Sequence, residues 1–344
     1  MTSADAKIRC IQEVTQTEAV RVYRELYEEA ATHIRMKMRW RGIHSLLYGL
    51  IKNKLPGKTV LDLGCGHGRM PFLCARRAHH VVGVELEGAA VRVARLEAKA
   101  LGMKNVEFVE AGLADYRSST KFDFVIMAGV LRHLIDRDEA FRAVQDNLAD
   151  NGTFILGTTI DANFRADVSN SFFTLLQWPM SLNDFHRFSD QWLHAEAPRW
   201  GLTVERAVGS QYSQAWADVA VEDLVPRVAN VLKDLQGQGQ QVRIDMPKFE
   251  AWLNERAEHG RTFIDALAKR KILKRIPRRA PFKVNESVLR DAELSQASID
   301  AVRDYLAEDC SRDPYYSDVA PFNLMGAQVW YFLRRAGSKR GHRR

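Results

Sequence analysis

An aspartate followed by glycine at every second position, Asp62-Leu63-Gly64-Cys65-Gly66-His67-Gly68, closes an apolar run that begins at Val60. Glycine has no Cβ and tolerates φ > 0, so such a turn after a buried strand lays bare backbone N–H groups against a ligand. A nucleotide-like cofactor is the first expectation. The spacing differs from the Gly-x-Gly-x-x-Gly turn of dinucleotide-binding folds, whose third glycine permits helix–strand contact beside the pyrophosphate. Arg69 stands where that glycine would be, and the carboxylate of Asp62 precedes the turn. A carboxylate is repelled by a pyrophosphate and attracted by an ammonium or sulfonium group. The pattern therefore suits a cationic adenosine cofactor.

Three further segments follow in order. Val81-Val82-Gly83-Val84 ends in Glu85; Phe122-Asp123-Phe124-Val125-Ile126-Met127-Ala128 runs into Gly129-Val130-Leu131-Arg132-His133-Leu134; and Asn147-Leu148-Ala149-Asp150-Asn151-Gly152 leads into Thr153-Phe154-Ile155-Leu156. Together with Lys58 to Gly68, these resemble the core of class I S-adenosylmethionine-dependent methyltransferases over residues 58 to 160, in the style of the ubiquinone-biosynthesis and related small-molecule enzymes. Any one segment is a weak signal; four in register are a strong one.

The resemblance implies S-adenosylmethionine as the cofactor and assigns roles to its surroundings. Asp62 would order the glycine loop and meet the cofactor's ammonium group, with Gly64, Cys65, Gly66 and Gly68 supplying close backbone. Glu85 would hold both ribose hydroxyls. Leu86 and the segment Leu113, Ala114 and Asp115 would flank the adenine, Ala128 and Gly129 would line the methionine end, and Arg39 or Arg41 would meet the cofactor carboxylate. The chain departs from the family twice. Gly112 stands where an adenine-reading Asp is common, leaving Asp115 or the backbone at Leu113 to do the reading, and Arg132 replaces the usual Glu before His133.

Methyl transfer asks little covalent help of a protein beyond holding the acceptor atom in line, about 3 to 3.5 Å from the methyl carbon. A hydroxyl acceptor benefits from a general base, and histidine titrates in the right range without perturbation. His133, after the fourth strand, and His186, in an aromatic stretch with Phe164, Phe172, Phe173, Trp178 and Phe185, are the candidates. His133 could equally pack against the cofactor alone, and His186 could be an ordinary loop residue. The aromatic rings could lid a flat substrate or form a private core.

Hydrophobic periodicity positions these groups. Spacings of three and four residues between Thr15 and Lys54 predict a helical cap over the pocket. Strands at Thr59–Leu63, Val81–Glu85, Val106–Glu110, Phe122–Ala128 and Thr153–Thr159 alternate with helices at Met70–Ala78, Ala89–Leu101 and Asp138–Leu148. That alternation implies an α/β fold, Rossmann-like and doubly wound, with a mostly parallel seven-stranded sheet and the ligand at the strands' carboxyl ends. After a helix at Ser189–Trp200 and a sixth strand at Leu202–Val208, a long stretch of helical character precedes the last strand, Ala327–Leu333. The expected organisation is a cap at 1–57, a catalytic domain at 58–210 and 322–336, a helical insertion at 211–321 near the substrate mouth, and a basic tail at 337–344. The insertion offers a lid or a surface for pairing with a second copy.

With 344 residues, 46% of them apolar, the chain can bury a substantial core. No apolar run reaches the roughly 18 residues of a membrane span, and Met1 to Ala6 lacks an apolar signal core, so a cytoplasmic setting is expected. Four cysteines without metal-ligand spacing read as reduced thiols. No metal is expected, since the fourth strand ends without the acidic ligand of catechol-type enzymes. The net charge of +7 and a basic run from Lys269 to Arg279 raise RNA as an alternative substrate to a small molecule. Against RNA, the Asn/Asp-Pro-Pro-Tyr turn of amino-methylating enzymes is absent after strand four, and a charge run is more often a solvated helix face. A non-catalytic cofactor-binding protein is the third class.

Overall fold

Short runs of valine, isoleucine, leucine and phenylalanine become strands because their neighbours alternate between two cores. Along β1 (Thr59–Leu63), Val60 joins one cluster while Leu61 and Leu63 join the other. The computed structural model describes residues 41–158, 188–212 and, with short interruptions, 225–306 and 315–337. The remaining strands are β2 (His80–Glu85), β3 (Val106–Glu110), β4 (Phe122–Ala128), β5 (Leu148–Thr158), β6 (Leu202–Tyr212), β7 (Lys274–Arg275), β8 (Tyr315–Ser317) and β9 (Gln328–Arg335). They form one nine-stranded sheet in the order β3-β2-β1-β4-β5-β9-β6-β8-β7.

Strands β1 to β5 pair in parallel, and β9 inserts antiparallel between β5 and β6. Helices cover both faces. On one lie α1 (Arg41–Ile51) and α2 (Arg69–Ala75), whose Leu46, Leu47, Met70 and Leu73 pack with Val60, Ile126 and Trp330. On the other lie α4 (Arg137–Asn147) and α5 (Asp190–Glu196), whose Phe141, Val144 and Leu193 pack with Leu61, Met127 and Tyr331. Between them in sequence, α3 (Gly88–Ala100) packs Val91 and Ala94 against Phe72 and Phe108.

Nine strands among the described residues, not seven, correct the expected count, and the stretch read as helical between the last two long strands holds both extra ones. The reason is their brevity: two residues of β7 and three of β8 carry no alternating pattern and exist only through pairing with each other and with β6. A two-residue basic edge also discourages further strand addition. The same stretch contains α6 (Met246–Lys269), α7 (Glu286–Asp291) and α8 (Gln296–Leu306). Between them the chain reaches across the sheet. Ile276 and Phe282 join the α1/α2 face, Arg76 stacks its guanidinium 3.9 Å from the Phe282 ring, and Leu289, Ile299 and Val302 pack against α3. The Asn285 N–H donates to the Ala100 carbonyl, at the end of α3 farthest in sequence from Glu85.

Other boundaries moved slightly. β5 begins at Leu148 rather than Thr153, because Leu148 pairs with Phe122 before a register shift carries Thr153 opposite Phe124. β6 extends to Tyr212, whose hydroxyl donates to the Phe322 carbonyl and whose deprotonation burial strongly opposes. Among the described residues no helix is long and apolar enough to cross a membrane, and no cluster of His, Cys, Asp and Glu has metal-holding geometry.

Candidate functional site

Parallel pairing brings the carboxyl ends of β1, β2, β3 and β4 to one edge, and the register fixes which residues meet there. Asp62 stands opposite Gly83 on one side and Ile126 on the other; Glu85 stands opposite Glu110. Asp62 is 2% exposed and shares the face of Val60, directed toward α2. Burial, with the Asp62 charge adding to it, holds the Cys74 thiol of α2 well above its ordinary pKa, so that cysteine is no nucleophile. Cys65 is likewise buried, its Sγ turned to the Gly66 carbonyl.

The glycine loop is a left-handed turn. Gly64, Gly66 and Gly68 have φ of 74°, 54° and 81°. At Gly64 the need for glycine is double, since a Cβ there would also lie 2.3 Å from Cγ2 of Val130. The N–H groups of Gly64 and Cys65 donate to the Val84 carbonyl at 2.8 and 2.9 Å, which folds the loop back over the end of β2. Glu85 then fastens it: Oε2 accepts the Gly66 N–H at 2.8 Å while Oε1 accepts the Leu86 N–H at 2.9 Å. One buried carboxylate thus joins the turns after β1 and β2 and retains lone pairs for further donors.

Leu86, at the next position, is a large apolar side chain left 46% exposed. Its Cδ1 lies 3.8 Å from where a Cβ of Gly112 would stand, so the two expected adenine-flanking segments face each other. The Asp115 carboxylate lies 3.0 Å from that same point. The carboxylate three residues on thus lies beside position 112, where an adenine-reading acid is common in the family. Leu113 is buried, Ala114 and Asp115 are exposed, and the Ala114 N–H donates to Oε1 of Glu139 at 3.1 Å, tying this segment to α4.

At the end of β4, Ala128 and Gly129 are half-buried. Gly129 has φ of 73°, its N–H donates to the Gly157 carbonyl at 2.7 Å, and a Cβ on it would meet no atom within 4 Å. Among the described residues, no atom occupies that point. Two residues beyond Val130 comes the turn bearing His133, whose Nε2 accepts from Nε of Arg132 at 3.1 Å. His186 and Arg39 lie outside the described residues, as does the side chain of Arg41 at the start of α1. The aromatic stretch up to Phe185 lies outside them too.

Three contributors escaped the sequence reading. Val130 fills the space over Gly64. Glu139 holds Ala114, although its place three residues after the α4 cap, Asp136, marks it as an ordinary first-turn acid. The Glu110 carboxylate stands 2.6 to 2.7 Å from where a Cβ of Gly88 would be, at the start of α3. Asp62, Glu85, Glu110 and Asp115 give this edge a negative field suited to a cationic ligand. Its buried carboxylates, bare glycine backbone and exposed leucine fit an adenosyl sulfonium carrying an α-amino acid.

A parallel sheet of this order, with that loop and those acids at its carboxyl edge, defines a class of cofactor-dependent transferase. A family model described as "Methyltransferase domain" matches residues 54–196. The ubiquinone biosynthesis O-methyltransferase of Pseudomonas paraeruginosa is 31% identical over 177 residues, covering 46% of this chain and 70% of that protein. The protein of that name from Acinetobacter baumannii is 26% identical over 166 residues, covering 46% of this chain and 69% of its own. Among solved structures, magnesium protoporphyrin IX methyltransferase from Synechocystis, with bound SAH, is 18% identical over 56% of this chain and 92% of that one, with a TM-score of 0.45. The chain belongs to the class I S-adenosylmethionine-dependent methyltransferases. It is an enzyme whose cofactor is S-adenosylmethionine.

Proposed function

We propose that this enzyme methylates a hydroxyl or amine on a small organic acceptor, using the edge formed by β1, β2 and β4. The observation that carries the reading is the Glu85 carboxylate, which closes the glycine loop through the Gly66 N–H and also accepts the N–H of Leu86, whose side chain reaches toward Gly112. When bound, S-adenosylmethionine supplies an activated methyl group. Asp62 balances its ammonium charge, Glu85 accepts from the ribose hydroxyls, and Leu86 with the Leu113 to Asp115 segment flanks the adenine. Ala128 and Gly129 leave room at the methionine end. His133 holds the acceptor's proton, and Arg39 or Arg41 meets the cofactor carboxylate. His186 is a second candidate base on the acceptor side.

Residues 58–210 and 322–336 form the catalytic domain in this reading, 1–57 its cap, 211–321 an elaboration that braces α3, and 337–344 a tail. The small-molecule acceptor draws support from the relatives' names and from the state of the basic run. Lys274 and Arg206 are both paired with Asp318, at 2.7 and 3.5 Å, and Arg275 stacks on Tyr315, so part of its charge is already satisfied within the fold. The test uses methyl-labelled S-adenosylmethionine with cell-extract metabolites and, separately, with total RNA. Label in low-molecular-weight products is expected; label only in RNA would refute the small-molecule reading.

A further inference from the structure

We propose that α6 docks the enzyme on an anionic lipid surface, through a strip of aromatic side chains that ends in a basic cluster. The inference concerns a face far in sequence from the glycine loop and does not depend on which acceptor is methylated.

One side of α6 is committed to the fold. Phe249, Leu253, Ala257, Ile264 and Leu267 are buried, and Ile264 and Leu267 pack with Tyr212 and Leu273. At about 100° per residue, Trp252, Phe263 and the C-cap Arg270 fall nearly in line on another side, over about 27 Å of helix. Trp252 and Phe263 are each 36% exposed, and Arg270 is exposed. The acids of α6, Glu250, Glu255, Glu258 and Asp265, all stand about 60° or more from Trp252 around the helix. A strip with two large aromatics and no carboxylate does not fit a face that meets only water, which ordinarily carries charged and polar side chains.

The strip leads into Lys269, Arg270 and Lys271, all exposed and none in an ion pair among the described residues. Lys271 adds a second observation. The helix ends in a Schellman turn, in which the Ile272 N–H donates to the Leu267 carbonyl and the Lys271 N–H to the Ala268 carbonyl, both at 3.0 Å. That turn puts Lys271 at φ of 58°, the one non-glycine residue with positive φ among those described. Glycine usually fills this position, because a Cβ there is strained. The dipole of α6 accounts for a cation in its last turn. It does not account for the aromatics, nor for a lysine where the backbone asks for glycine.

Charge and side-chain type together select the partner. Tryptophan and phenylalanine beside lysine and arginine match the headgroup layer of an anionic bilayer, where the rings enter the acyl boundary and the cations meet phosphates. Each such cation is worth roughly a factor of five in affinity. Nucleic acid suits the strip less well, since single strands bind by stacking bases on open ring faces. The Trp252 ring already stacks on Phe249, with centroids 6.3 Å apart, and carries the Arg256 guanidinium 5.5 Å from its centroid.

The full chain is sedimented with phosphatidylcholine vesicles, with or without about one-third phosphatidylglycerol. Wild type should bind the anionic vesicles on the order of 10-fold more tightly than the neutral ones, and salt should release it. Lys269→Gln, Arg270→Gln and Lys271→Gln combined should remove that preference, and Trp252→Ser with Phe263→Ser should lower anionic binding on the order of 10-fold. Lys271→Gly separates docking from folding. Relief of the strained φ should raise the melting temperature by about 2 °C while binding falls about 5-fold. S-adenosylhomocysteine affinity should match wild type in every variant. Equal binding of wild type to both vesicles, binding to neither, or anionic binding that survives in both combined variants and in Lys271→Gly overturns the proposal. Retention of total RNA by wild type and its loss in those variants, without vesicle binding, would overturn it in favour of nucleic acid.

Discussion

The glycines at the carboxyl edge of the parallel strands differ in backbone conformation from those packed around β9. At the carboxyl edge Gly64, Gly66, Gly68 and Gly129 all have positive φ; a Cβ on Gly129 would meet no described atom within 4 Å, whereas one on Gly64 would meet Val130 at 2.3 Å. In the antiparallel half, glycines make room for the protein itself. A Cβ on Gly157 would lie 2.4 Å from Cζ3 of Trp330, and one on Gly326 would lie 2.4 Å from the Ser210 carbonyl oxygen. The edge glycines thus set a left-handed course for the backbone, and those around β9 set how closely the sheet packs on its own side chains. Parallel crossovers bring the carboxyl ends of β1 to β5 to one edge, whereas β9, running antiparallel between β5 and β6, brings its amino end there.

Mutations should separate the halves. Trp330 is fully buried between α1, β5 and β6, and Trp330→Ala should cost about 3–5 kcal/mol in urea unfolding. Among the molecules still folded, S-adenosylhomocysteine affinity should change little; a large loss would mean that the packing around β9 shapes the carboxyl edge. Glu85→Ala removes the acceptor of the Gly66 N–H together with the proposed ribose contacts. On the order of two charge-assisted hydrogen bonds, about 3 kcal/mol, or roughly 150-fold in calorimetric affinity, should disappear. Affinity unchanged would remove Glu85 from the site.

The legibility of the chain follows the same division. β3 and β4 match their expected bounds residue for residue, and β1 does so as well, because each is a short apolar run bounded by charge or glycine. The glycine loop was readable because three glycines in alternation have few other uses. Beyond β6 the determinants are long-range. Nothing local in Lys274-Arg275 marks a strand, nothing in Phe282 or Leu289 says that they will reach α2 and α3, and the Asp115 carboxylate comes beside Gly112 only once that turn is folded.

Smaller effects sharpen the comparison. Gly64→Ala combines strain at positive φ with a methyl group placed against Val130, and should lower stability by about 1–3 kcal/mol and weaken cofactor binding. Val130→Ala in the same chain should restore part of both, a non-additivity readable in a double-mutant cycle. Burial raises the pKa of Asp123, but the hydrogen bonds from Lys58 at 2.7 Å and from the Thr59 N–H outweigh it, and the net shift is downward. A depressed carboxylate stabilises the fold above its unfolded pKa and loses that contribution as pH falls through the folded value. Asp123→Asn should therefore cost at most about 1 kcal/mol at neutral pH, since the pair is partly exposed, and should flatten the acid limb of a stability–pH curve.

The central claim is that the adenosine of the cofactor lies where β1 and β2 end. A crystal structure of the complex with S-adenosylhomocysteine tests it most directly. The ribose hydroxyls should be within hydrogen-bonding distance of Glu85, with the adenine between Leu86 and the Leu113 to Asp115 segment. Density for the ligand elsewhere, with Glu85 still bonded only to Gly66 and its own turn, would contradict it.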